Sequence, residues 1–385
     1  MSRRLVVLSE IIAPYRIPVF NALARKEGID LHVIFLAETD PKLRQWLVYR
    51  DEICFSHEVL RSWRGRLGER NLLFNWRLSA ALRRAAPDAI LCGGYNYPAS
   101  WEASWWARRH HVPFMVWVES TAHDRRSWRA SVEALKGAFL RNCTAFVVPG
   151  KSSAEYLQRY DIQQGAVFSA PNAVDTDFFS RHAATVRADA AAHRQRLGLP
   201  QRYFLFVGRL VPEKGIFDLL AAYHRLAPEL RTNVGLVLVG EGSAHAKVSQ
   251  CAARISPGQV QVAGFVQRET LATYYALADA FILPTRSDPW GLVVNEAMAC
   301  GLPIVTTTAA GCAADLVTGW NGFVVSPGDR AGLAAAMDRL ARDSELRAQM
   351  GTSSRLRVRR YSPQVCAAGI AQAAASLPGG RWHEA

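Results

Sequence analysis

Eleven short apolar runs, none longer than six residues, are set along this chain at intervals mostly too long for hairpin turns. Five come early: Leu5–Ser9, Leu31–Phe35, Ala89–Cys92, Phe114–Val118 and Ala145–Val148. Six follow later: Tyr203–Val207, Val234–Val239, Val260–Ala263, Ala280–Leu283, Pro303–Thr306 and Gly322–Val325. Between them lie stretches with helical spacing, Asn71–Ala86 and Lys151–Tyr160 in the first series, and Phe217–Leu226, Thr270–Ala278 and Leu292–Cys300 in the second. Strands that alternate with helices read as parallel sheets with helices on both faces. Two such series predict an α/β chain of two Rossmann-like domains facing a central cleft. The expected divisions are a first domain over 1–175, a linker over 176–199, a second domain over 200–361 and a closing segment over 362–385. The linker falls where Ala, Arg and His dominate and no strand pattern shows. The closing segment is alanine-rich and helical, with a return onto the first domain as one docking option.

Composition removes several classes. Half of the 385 residues are apolar and 21% are charged, which excludes extended disorder and a disulfide scaffold. The seven cysteines form no C-x-x-C pair, so no zinc or thioredoxin-like site is expected and a reducing compartment fits. The apolar stretch near Met1–Glu10 is too short for a signal peptide, and no apolar run reaches the length of a membrane span. A net charge of +13, spread over both halves, favours anionic partners: nucleotides, phospholipid headgroups or nucleic acid. Charge alone does not choose among them.

The chemistry concentrates after the strands, where open parallel sheets bind ligands. In Phe281–Val305 a strand leads into Pro284-Thr285-Arg286-Ser287-Asp288-Pro289-Trp290-Gly291, and a helix follows. Amides at a helix start lack intrahelical partners and face the positive end of the dipole, so they can receive phosphate. Asp288 and Glu296, eight residues apart, can face one elongated ligand and accept hydrogen bonds from sugar hydroxyls. Upstream, Gly208-Arg209-Leu210-Val211-Pro212-Glu213-Lys214-Gly215 places two cations, Arg209 and Lys214, after a strand.

These segments resemble glycosyltransferase family 4, the retaining nucleotide-sugar transferases of GT-B fold. The family's mark is E-x7-E within P-S-x-x-E-P-x-G-x-x-x-x-E-A-M-A-x-G-x-P, and Pro284–Gly291 with Glu296-Ala297-Met298-Ala299-Cys300-Gly301-Leu302-Pro303 follows it, except that Asp288 stands in for the first glutamate. The resemblance implies that Asp288 contacts the transferred sugar and that Glu296 holds the ribose hydroxyls. It also implies that Gly291 and Leu292 offer backbone N–H groups to the diphosphate, that Arg209 and Lys214 hold it, and that Val266, in Gly264-Phe265-Val266, lies by the nucleobase. The donor implied is a UDP- or GDP-sugar, with no other cofactor and no metal.

The first half matches less tightly. Ala13-Pro14-Tyr15-Arg16-Ile17-Pro18-Val19-Phe20 resembles the P-Y-R-x-P-x-F opening of some members, which makes Arg16 a phosphate or acceptor contact. The family often places a histidine near Trp117–Asp124, facing the reacting sugar; here that position belongs to Glu119 or to His123. Asp175-Thr176-Asp177 reads D-x-D, a metal motif of another transferase fold, but its setting, Pro171-Asn172-Ala173-Val174-Asp175, resembles the family's linker and reads as a helix cap.

Eight of the eleven tryptophans lie in the first 130 residues, interleaved with arginines. That mixture suits lipid headgroups or sugars. The acceptor expected is lipid-linked or saccharide, in surface polysaccharide or glycolipid synthesis, at the cytoplasmic face of an anionic membrane. The competing readings keep the fold and change the reaction, to a nucleotide-sugar epimerase or a sugar phosphorylase. A non-enzymatic nucleic-acid binder would need a recognition motif, and the chain has none.

Overall fold

The computed structural model describes residues 2–40, 45–67, 70–121, 130–255 and 258–378. They form two compact units. The first is Met1–Ala173 together with Pro363–Ala385, and the second is Val174–Ser362.

Among the described residues, the first unit holds β1 (Arg3–Ser9), β2 (Ile29–Phe35), β3 (Ser56–Val59), β4 (Ser62–Leu67), β5 (Arg70–Asn75), β6 (Ala89–Cys92), β7 (Phe114–Trp117), β8 (Ala145–Val148) and β9 (Val167–Ser169). Seven of these make one parallel sheet in the order β3-β2-β1-β6-β7-β8-β9, while β4 and β5 pair antiparallel as a separate hairpin. The second unit holds β10 (Tyr203–Val207), β11 (Gly235–Val239), β12 (Val260–Gly264), β13 (Ala280–Leu283), β14 (Ile304–Thr307) and β15 (Gly322–Val325). Their order is β12-β11-β10-β13-β14-β15, again all parallel. In both sheets the strand order reverses beside the first strand. That reversal is the switch point where such sheets bind ligands at their carboxyl ends.

The strands form because their residues are apolar on successive positions and helices cover both faces. Every residue of β6, β7, β8, β10, β11, β13 and β14 is buried. Each fully buried Phe or Leu among them contributes roughly 1.5–3 kcal/mol.

The sequence expectation of a helix over Asn71–Ala86 is corrected. Residues 70–75 are strand β5, and the helix is only Leu78–Ala85. Arg77 separates them, in a left-handed conformation at φ 69°. The run Leu72-Leu73-Phe74 is apolar at consecutive positions and matches either period.

Residues 176–199, where a linker is expected, carry two helices, Thr176–Ala188 and Ala190–Leu197, and cluster with the second unit. The last helix, Pro363–Ala375, packs in the first unit. Its Cys366, Ile370, Ala373 and Ala374 are fully buried, and the buried Arg3 guanidinium donates to the carbonyls of Ala374 and Leu377. Among the described residues, no helix is long and apolar enough to cross a membrane.

Candidate active site

The site in the second unit is built where β10 and β13 end. Lys214 closes a short 3₁₀ turn, Pro212–Lys214, after β10, and Gly215 follows at φ 68°. A Cβ on Gly215 would fall 1.9 Å from the Pro284 carbonyl oxygen, so only glycine lets this turn lie against the loop that leaves β13. Hydrogen bonds stitch the two segments together. The Arg286 N–H donates to the Glu213 carbonyl at 2.8 Å, and the Thr285 hydroxyl donates to the same oxygen at 3.1 Å. From β14, the Thr307 hydroxyl donates to the Thr285 carbonyl at 2.5 Å.

This stitching brings Lys214 to Asp288. The ammonium Nζ lies 2.5 Å from Asp288 Oδ2, with the two side chains 13% and 14% exposed. The other carboxylate oxygen, Oδ1, accepts from the Trp290 N–H at 3.2 Å. The Asp288 backbone is also fixed, since its N–H donates to the Ala309 carbonyl and its carbonyl accepts from the Gly311 N–H. Charge and position are therefore both set before any ligand arrives.

Gly291, at φ 92°, is the N-cap of the helix Leu292–Ala299, and no acidic residue occupies that helix's first turn. In the first turn the Val294 N–H donates to the Gly291 carbonyl at 2.9 Å, and the helix start carries the positive end of the dipole. One turn on, Glu296 Oε2 accepts from the fully buried Tyr275 hydroxyl at 2.8 Å. Burial pushes the Glu296 carboxyl up to about 7, against the lowering effect of that hydrogen bond. Arg209 is exposed on the turn after β10, and Val266 is half-buried beyond β12, next to the exposed Phe265. The second unit thus brings Lys214 and Asp288 into contact beside the helix that begins at Leu292 and carries Glu296.

In the first unit, Glu119 lies two residues past β7. Its Oε1 accepts from Arg16 Nη2 at 2.6 Å and from the Asn172 side-chain amide at 2.8 Å. The Arg16 guanidinium sits 3.9 Å above the Trp117 ring. Arg16 and Glu119 therefore form one ion pair, a juxtaposition that a separation of 103 positions conceals in the sequence. His123 lies outside the described residues. Asp175 caps the helix Thr176–Ala188, its side chain accepting from the Phe178 N–H at 2.8 Å.

Two further groups escaped the sequence reading. Asp218 is 2% exposed, and it binds both Arg286 and Arg330, with nitrogen–oxygen distances of 2.7–2.9 Å. It holds the loop two residues before Asp288. The second group, Tyr275, orients Glu296 from a helix that reads only as core.

Family models cover both units. Residues 20–178 match a model described as Glycosyltransferase Family 4, and residues 189–357 match one described as Glycosyl transferases group 1. A D-inositol 3-phosphate glycosyltransferase of Xylanimonas cellulosilytica is 31% identical over 59% of this chain and 55% of its own length. A glycogen synthase of Mycobacterium tuberculosis is 34% identical over 44% of this chain and 40% of its own. The chain thus spans about half the length of the curated relatives it matches. Among solved structures, Anabaena Alr3699/HepE in complex with UDP superposes with a TM-score of 0.76 at 19% identity, covering 98% of this chain and all of that one. The lipopolysaccharide outer core galactosyltransferase WaaB superposes at 0.68 and 14% identity, over 97% of this chain and 99% of that one.

Proposed function

The chain belongs to glycosyltransferase family 4, with the GT-B fold, and from that premise we propose that it moves a sugar from a nucleoside-diphosphate donor to a hydroxyl acceptor with retention of configuration. In this reading the second unit holds the donor. Arg209 and Lys214 take the negative charge that grows on the pyrophosphate as the bond from the anomeric carbon to phosphate oxygen breaks. The Gly291 and Leu292 N–H groups hold the same pyrophosphate, and Val266 meets the base. Glu296 accepts from the ribose hydroxyls, and Asp288, gripped by Lys214, orients the sugar. The acceptor oxygen bonds to the anomeric carbon on the face the phosphate leaves, and its proton passes to the departing phosphate oxygen. Two cations and a helix start supply the electrostatic stabilisation, so no metal is expected.

The observation that carries this reading is the Lys214–Asp288 contact beside the start of the Leu292–Ala299 helix, with Glu296 one turn on. That a solved neighbour of the same fold is a complex with UDP favours UDP over GDP as the first donor base to try. We place the acceptor among lipid-linked or saccharide hydroxyls, at the cytoplasmic face of an anionic membrane, with the first unit contributing the Arg16–Glu119 pair.

The test is incubation of the purified chain with UDP- and GDP-sugars and candidate acceptors, following nucleoside diphosphate release and the anomeric proton signals of the product by NMR. Acceptor-dependent release with an α-linked product from an α-linked donor is the expected result. An inverted product, or sugar conversion without any acceptor, would overturn the reading, the second outcome in favour of an epimerase.

A further inference from the structure

The hairpin formed by β4 and β5 is inside out. Its register pairs Trp63 with Phe74 and Arg64 with Leu73. Leu73 is 1% exposed and belongs to the core, and Arg64 binds the buried Asp40 at 2.7 Å and the Thr39 carbonyl at 2.9 Å. Asn75, on the same face as Leu73, donates to the Leu36 carbonyl. Among the described side chains, the inward face thus combines the buried Leu73 with the polar bonds of Arg64 and Asn75. The outward face carries aromatics: Trp63 is 52% exposed and Phe74 is 42% exposed, their rings 5.9 Å apart. The Trp63 ring lies over Gly65, where a Cβ would be 2.3 Å from it. Trp76, next along and 58% exposed, closes the hairpin by donating its N–H to the Arg61 carbonyl.

Hydrophobic burial alone would give the opposite arrangement, because a one-residue slip exchanges the two faces of a strand. Here a charged residue is spent on the inside to keep two large aromatic rings outside. Such an arrangement is consistent with a surface that becomes covered. The charges around it say by what. Residues 61–77 contain five arginines and one glutamate, and Arg61 and Arg77 at the hairpin base are exposed. Tryptophan and phenylalanine flanked by arginine match the boundary layer of a bilayer, where rings sit among headgroups and guanidinium groups meet phosphate.

We propose that Trp63, Phe74 and Trp76 form a docking surface for an anionic lipid bilayer, with Arg61 and Arg77 contacting its headgroups. This names the element behind the membrane part of the function proposed above, and it can hold or fail independently of sugar transfer.

The experiment is co-flotation of the full chain with vesicles of phosphatidylcholine, with and without phosphatidylglycerol. The protein floats with the phosphatidylglycerol vesicles and less with phosphatidylcholine alone. The triple variant Trp63→Ser, Phe74→Ser, Trp76→Ser reduces the floated fraction about tenfold. The double variant Arg61→Glu, Arg77→Glu abolishes the preference for phosphatidylglycerol. Trp320→Ser, at a residue 82% exposed in the second unit, floats as the parent does. Circular dichroism and nucleoside diphosphate release without vesicles monitor the fold and the donor chemistry separately. The proposal is overturned if the parent chain does not float, if the triple variant floats undiminished, or if Trp320→Ser loses as much. It is also overturned if the triple variant changes only self-association in sedimentation velocity, which would assign the face to a second copy.

Discussion

Lys214 and Asp288, 74 positions apart, meet at 2.5 Å, and the carboxylate is held on its other oxygen by the Trp290 N–H. In the proposed reaction this cation takes the charge of the pyrophosphate, and Asp288 partly balances it until the donor arrives. Lys214→Ala removes the cation on the leaving-group side, and we expect turnover to fall about 100- to 1,000-fold with the circular dichroism spectrum unchanged. Steady-state rates with saturating donor check this. A loss under tenfold would remove Lys214 from the reaction.

Glu296 carries a pH signature. Its folded carboxyl titrates near 7, above its ordinary 4.5. Between those values the folded chain binds more protons than the unfolded chain, so this group's contribution to stability declines as pH rises through the window and is fully unfavourable above it. Glu296→Gln, which cannot ionise, removes that decline. We expect the variant to be more stable than the parent at pH 8 by on the order of 1–2 kcal/mol, discounting for partial exposure, with little difference at pH 5. Donor binding should move the other way, weakening in the variant at pH 8, where the parent presents a carboxylate to ribose. Thermal melts at the two pH values, with and without nucleotide, separate the effects.

Asp218 is a buried carboxylate between two arginines. Asp218→Ala leaves Arg286 without its acceptor and loosens the loop that presents Asp288. The expected loss is about 1.5–3 kcal/mol of stability, since the two arginines left behind are half-exposed, read by urea denaturation. A loss under 1 kcal/mol would mean the pair of arginines finds other partners.

Gly215→Ala tests the seam between the Lys214 turn and the β13 loop. The new methyl collides with the Pro284 carbonyl, and alanine is strained at φ 68°. A destabilisation of about 1–3 kcal/mol is expected, together with a fall in turnover greater than the stability loss explains, because Lys214 moves with the turn. Unchanged turnover in a folded Gly215→Ala variant would show that the seam does not position Lys214.

The strands of the two parallel sheets were legible where burial on both faces makes consecutive apolar residues obligatory. Ala89–Cys92, Ala145–Val148, Tyr203–Val207 and Ala280–Leu283 have the bounds their sequences predict, as does the less buried edge strand Gly322–Val325. Ser56–Val59 and Val167–Ser169 lie at the sheet edges, are less buried, and carry no comparable signal. The hairpin was hidden because Leu72-Leu73-Phe74 is apolar at consecutive positions and fits either period. At the candidate site, local motifs single out Lys214, Asp288 and Glu296. Their partners are not marked in this way. Asp218 meets Arg330 across 112 positions and Tyr275 meets Glu296 from another helix, and such pairings are set by tertiary packing alone.

The account rests on donor capture by the second unit, and a thermal-shift titration of the parent, Lys214→Ala and Glu296→Gln chains with UDP, GDP, ADP and their sugars tests it most directly. A ligand bound only by the folded state at a hundred times its Kd stabilises that state by about 2.7 kcal/mol. The account predicts a clear rise in melting temperature for the parent with at least one diphosphate, much reduced in both variants. Equal shifts in all three chains, or none with any nucleotide, would contradict it.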